Sequence, residues 1–227
     1  MKKIIVGFIL LLWSIAAVSA QVSLSIDGES SDDIVRRKNY ALLALSKPFF
    51  KQNISSVSIQ IASEQSEPRW QFKWERITMA GDIKDDGEFM KVLAHELGHY
   101  VDIITYTKTQ TTPDISAKFY AISWKSSNEK YRESKLSDFV SGYAITNQYE
   151  DFAESFVFYM FHNATFKEKA KKSEILQKKY DFLRTYIFKK WEFVNKEYAI
   201  EPKTIDGYLW DTTKVRIFLK KYLFSFQ

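Results

Sequence analysis

Between Glu88 and Ile104 this chain places apolar residues and two histidines on a common helical period, and no other segment limits its possible folds so strongly. Phe89, Val92, Leu93, Leu97, Val101 and Ile104 recur at the spacing of one helix face, after a polar, turn-like run at 82–87. A helix starting near Asp86 or Glu88 is therefore predicted. His95 and His99 are four apart on it, which stacks their side chains with Cβ atoms about 5–6 Å apart.

Two imidazoles so placed can fill two corners of a zinc tetrahedron, with Glu96 between them. Zinc lowers the pKa of bound water to about 7, so Glu96 can act as a general base near neutral pH and pass the proton to a leaving amine. An ordinary amphipathic helix can also carry two histidines. Yet the sequence has only 3 histidines, and two of them flank a glutamate at the required spacing.

A catalytic zinc site needs a third protein ligand. The chain has no cysteine, so that ligand is His162 or a carboxylate. Asp102 shares the helix of both histidines, which makes closing a tetrahedron difficult. It is expected as an outer partner of a ligand or as a helix-surface group. Glu150 and Glu154 lie one turn apart in a segment otherwise apolar through Phe152, Ala153, Phe156, Val157 and Met160. Carboxylates in such surroundings are costly unless paired or metal-bound. Glu150 has a competing explanation, because Asn147-Gln148-Tyr149-Glu150 has the form of a capping box. Residue chemistry alone leaves Glu150 and Glu154 level, and Asp151, one position round, is expected to face solvent.

Elsewhere, Val57-Ser58-Ile59-Gln60-Ile61 alternates strictly and predicts a strand with one buried face. Residues 72–79, through Trp74 and Ile77, form a second, less regular strand candidate. Ile34, Ala41, Leu42 and Leu45 suggest a helix that ends near Pro48. Thr112-Pro113 reads as a helix start, with Ile115, Phe119 and Ile122 buried behind it. Residues 126–137 read as a charged connection, and Asn147 as the cap of a helix running to about Phe161. Residues 167–198 form a Lys-rich amphipathic stretch anchored by Ile175, Leu176, Leu183 and Trp191. No long linker divides the chain, which indicates one α+β domain over 21–227 with a small N-terminal sheet and a mainly helical C-terminal part. Aromatic content is 16%, and Phe119, Trp124, Phe156 and Trp191 are expected in the core rather than lining a pocket.

Residues 1–20 read as a signal peptide: Lys2 and Lys3, an apolar run from Ile4 to Val18, then small residues before Gln21. The apolar run is shorter than the ~20 residues that span a bilayer. A secreted or periplasmic protein without stable membrane insertion is expected. Removing Lys2 and Lys3 lowers the formal net charge of +5 by two. The remaining lysine runs are mixed with acids and accompany no nucleic-acid-binding motif, so a nucleic-acid partner is not expected.

The segment His95-Glu96-Leu97-Gly98-His99-Tyr100-Val101-Asp102, followed by Tyr143-Ala144-Ile145-Thr146-Asn147-Gln148-Tyr149-Glu150-Asp151-Phe152-Ala153-Glu154-Ser155-Phe156, resembles the anthrax lethal factor catalytic domain and its relatives. These include the small secreted Pro-Pro endopeptidases of clostridia. The resemblance implies a zincin-like fold with a mixed sheet packed on the active-site helix. It implies one Zn2+ held by His95, His99 and Glu150, with Glu154 orienting a ligand imidazole. Glu96 would be the general base and Tyr143, seven residues before Glu150, the phenol that donates to the oxyanion. The activity so implied is that of a secreted zinc metallopeptidase acting on a peptide or protein substrate. An extended substrate is expected to align by strand addition beside the edge strand before the active-site helix, near 77–81. The cleavage preference of the Pro-Pro enzymes is not carried over. The rival expectation is an exported, non-catalytic zinc-binding or interaction domain on the same scaffold.

Overall fold

A computed structural model of the 227-residue chain describes residues 23–27, 31–54, 57–62, 70–73, 76–80, 83, 85–107, 114–189, 192–200 and 211–225. The segment read as a signal peptide lies outside these residues, as do Trp74, Thr112-Pro113 and Trp191. The fold is mixed α/β, mostly helical with a small sheet.

The sheet holds β1 (Ser23–Asp27), β2 (Ser58–Ala62), β3 (Trp70–Lys73) and β4 (Arg76–Ala80) in the order β1-β2-β4-β3. β1, β2 and β4 run parallel, while β3 pairs antiparallel with β4. Ile59 pairs with Ile77 and Ile61 with Met79, and all four are buried. The alternation read in residues 57–61 thus becomes one continuous apolar face. β4 is an inner strand, flanked by β2 and β3. The expected substrate-bearing edge near 77–81 is therefore already paired, and the outer strand on that side is β3.

Helices α1 (Asp32–Leu45) and α2 (Pro48–Asn53) lie between β1 and β2 in the chain. α1 ends at Leu45, and Pro48 lies just beyond it, where it starts α2 in the first-turn position at which its missing N–H costs no hydrogen bond. Leu42, placed by periodicity on the buried face, is 46% exposed, and Ala44 and Arg37 are buried instead. Arg37 earns its place through Asp86: its Nε donates to Asp86 Oδ1 at 3.0 Å, beside Arg36 Nε donating to Asp86 Oδ2 at 2.8 Å.

α3 (Asp86–Tyr100) follows the sheet and carries both histidines. It continues as a wider π-helical stretch over Val101–Thr107, then α4 (Ile115–Tyr120) follows. Residues 126–137 are more ordered than their charge suggested, because β5 (Trp124–Ser126) and β6 (Glu129–Lys130) form a hairpin. α5 (Gln148–Phe161) packs along α3 and is the core of the helical part. The Lys-rich stretch splits into α6 (Asn163–Ala170) and α7 (Glu174–Phe182), and short α8 (Leu219–Leu223) closes the chain. Phe119, Trp124 and Phe156 are all buried. Phe156 joins Phe49 at 5.7 Å and Phe188 at 5.0 Å between ring centroids, and each such buried ring contributes about 1.5–3 kcal/mol.

Candidate metal centre

The site forms where α3 and α5 pack against each other. Gly98 makes that approach possible: a Cβ there would stand 3.2 Å from Ala153 Cα and 3.4 Å from Phe156 Cβ. α3 is fixed at its start by Asp85, whose carboxylate accepts from Glu88 N at 2.8 Å, and by the Asp86 pairs with Arg36 and Arg37. α5 is capped by Asn147, whose side-chain oxygen accepts from Tyr149 N and Glu150 N, each at 2.9 Å. The Asn147 half of the capping box is present. Glu150 directs its carboxylate to the histidines.

His95 and His99 meet edge to face, with ring centroids 4.8 Å apart and ring planes 83° apart. Glu150 Oε2 lies 3.0 Å from His95 Nε2 and 3.4 Å from His99 Nε2. One ligand atom from each residue falls within 4.8 Å of the others, so this buried His-His-Glu group can hold a metal ion. Zinc bonds of about 2.0–2.1 Å in a tetrahedron separate neighbouring donors by about 3.3–3.4 Å, and the two separations from Glu150 to the histidines, 3.0 and 3.4 Å, lie near that value. Two imidazole nitrogens and one carboxylate oxygen are also a donor set that zinc accepts.

Glu154 occupies a different place. Its Oε1 lies 3.0 Å from His95 Nδ1 and accepts from Thr212 Oγ1 at 2.9 Å. Its Oε2 accepts from Ser141 Oγ at 2.5 Å and from Thr212 N at 2.9 Å. Oε2 is thus engaged away from the three donor atoms and Oε1 sits behind His95, so that in a neutral ring with its proton on Nδ1 the lone pair is on Nε2, the nitrogen facing Glu150. Ser141 also accepts from Ala144 N at 3.1 Å, which ties the turn Tyr143–Ile145 to Glu154. Tyr143 is half-buried in that turn, its ring centroid 6.0 Å from that of His95.

Burial alone would disfavour a charged His95, but hydrogen bonds to Glu150 and Glu154 hold its pKa well above the ordinary value. Burial likewise opposes ionisation of Glu150, and the two histidines outweigh it, keeping the carboxyl well below the usual range. Glu96, next to His95 and buried, is pushed up by burial against the pull of both histidines. The Tyr143 phenol is pushed up to about 12, first by burial and then by Glu150, Glu154, Glu96 and Asp211. It therefore stays a donor at neutral pH.

One expectation about the neighbouring acids fails, and for a second the surface alternative drops out. Asp151 does not face solvent: it is fully buried, 2.7 Å from Lys179 Nζ, and accepts from Trp124 Nε1 at 2.9 Å. α7 packs on the side of α5 that the helix period had left outward. Asp102 is not a surface group either, since its carboxylate accepts from the Tyr120 hydroxyl at 2.5 Å within the π-helical stretch. His162 stands apart from the cluster, with Nδ1 2.9 Å from Glu197 Oε1. Sequence reasoning passed over Ser141 and Thr212. The only local sign of Ser141 was a short polar residue three before a turn amide, and Thr212 had none.

Comparison with known proteins supplies no relative: no family model, no curated protein and no solved structure matches the chain.

Proposed function

We propose that this protein is a zinc-dependent metallopeptidase on a zincin-like scaffold. The observation that carries the reading is the convergence of His95, His99 and Glu150 with Glu96 next to the first histidine and Tyr143 beside its ring. His95, His99 and Glu150 would hold the ion. A bound zinc supplies Lewis acidity, polarising a carbonyl and acidifying water. Glu96 takes the proton from the attacking water and returns it to the leaving amine, and its burial raises its basicity toward that task. Tyr143 donates its phenolic proton in a hydrogen bond to the developing oxyanion. Glu154 accepts from His95 Nδ1 and holds the ring's orientation.

The substrate is a peptide or protein in extended form. Beside β3, the outer strand next to β4, it would add as a further strand through main-chain hydrogen bonds.

Glu96→Ala tests the mechanism. The variant is expected to retain zinc and lose ~10²-fold or more in turnover, since general acid–base catalysis contributes that much. A variant that cleaves peptides at the wild-type rate would overturn the role of Glu96.

A further inference from the structure

The metal centre receives a contribution from the far end of the chain. Residues Thr212–Lys214 form a 3₁₀ turn capped by Asp211, whose carboxylate accepts from Thr213 N at 2.7 Å. Thr212 is fully buried and uses two donors on one partner: its N–H and its hydroxyl each reach Glu154, both at 2.9 Å. The turn is held from its other side by Lys91, one helical turn before His95. Lys91 is fully buried, and its ammonium donates to the Thr212 carbonyl at 2.8 Å and to the Val215 carbonyl. The turn is thus strung between α3, which carries the histidines, and α5, which carries the carboxylates. A further tie, between Lys214 and Glu88, lies on the surface.

We propose that Thr212 and Lys91 are positioning residues for metal binding. Thr212 fixes the Glu154 carboxylate in the orientation that takes the His95 Nδ1 proton, and Lys91 holds Thr212 in reach. Metal affinity then depends on a segment that supplies none of the three ligands. Hydrogen-bond partners of this kind commonly change affinity 10–100-fold when removed. Both Thr212 donors converge on a single carboxylate, which favours a positioning role over packing alone. That role rests on the His-His-Glu metal centre and is independent of peptidase activity.

The test is zinc affinity of the full chain, measured by competition with a chromophoric chelator, for wild type, Thr212→Val, Thr212→Ser and Lys91→Met. Thr212→Val, which keeps shape and removes the hydroxyl, is expected to weaken zinc about 10–100-fold. Thr212→Ser, which restores the hydroxyl, is expected to bind within about threefold of wild type, and Lys91→Met to weaken zinc as Thr212→Val does. In zinc-loaded protein the low-field His95 Nδ1 proton resonance should shift in Thr212→Val and return in Thr212→Ser. Wild-type affinity in Thr212→Val, or a Thr212→Ser variant as weak as Thr212→Val, overturns the proposal. A wild-type chain that binds no zinc overturns the metal centre as well.

Discussion

Replacing Lys179 by methionine would strand a charge in the middle of the protein, and the structure sets the scale of the damage. Lys179 Nζ stands 2.7 Å from Asp151 Oδ2 and 2.9 Å from Oδ1, donates to the Asp138 carbonyl at 3.0 Å, and lies 3.9 Å from the Phe139 ring centroid. Neither side chain of the pair reaches solvent. Burial pushes Asp151 up and Lys179 down, and each opposes the shift of the other. Removing one partner of such a pair costs about 3–5 kcal/mol, because the remaining charge is left uncompensated. Trp124 Nε1 still donates to Asp151 at 2.9 Å, which places Lys179→Met toward the lower end, near ~3 kcal/mol. For a chain of this size that loss corresponds to a fall in Tm of roughly 6–12 °C. The assay is urea unfolding at neutral pH, read as a lower midpoint with an unchanged slope. Lys179→Met combined with Asp151→Asn removes the stranded charge and is expected to recover part of the loss. A single variant within ~1 kcal/mol of wild type, or a double variant no better than the single, would show that the buried pair does not carry this stability.

Two further perturbations follow from the same geometry. Gly98→Ala gains about 0.8–1 kcal/mol of helix propensity but overpacks the α3–α5 contact at a cost of about 1–3 kcal/mol, so unfolding should show a net loss and chelator competition weaker zinc binding. A variant more stable than wild type with unchanged zinc affinity would show that the two helices separate without disturbing the ligands. Burial pushes Lys91 down to about 7, so between that pH and its unfolded value the unfolded chain binds one more proton than the folded chain. Stability from this group therefore rises with pH across that window, by about 1.4 kcal/mol per unit at most. The stability difference between wild type and Lys91→Met, followed by unfolding from pH 7 to 10, should shift in favour of wild type as pH rises, and parallel curves would contradict it.

What could be read in advance was local and periodic. His95 and His99 declared themselves by their spacing, the strand at 57–61 by its alternation, and Asn147 by its position before an apolar helix. What escaped depended on which element lies against which. Asp151 follows Glu150 by one residue, and nothing in α5 itself says that α7 will cover that face with a lysine. Leu42 falls within the helical stripe of α1, yet the neighbours of α1 bury Arg37 instead because Asp86 awaits it. The level choice between Glu150 and Glu154 reflects the same limit. Their difference lies in Ser141 and Thr212, which approach Glu154 from a turn and from the chain's far end. Strand order is non-local too, so residues 77–81 read as an edge only until β3 is seen to pair there.

Whether the His-His-Glu group serves the metal-dependent peptide hydrolysis proposed above is open to experiment. Digestion of a peptide library by zinc-loaded wild-type protein, with and without a chelator, addresses it most directly. Cleavage that a chelator abolishes and added zinc restores is the predicted result. A zinc-loaded protein that cleaves nothing, or one that cleaves equally well after the metal is removed, would contradict it.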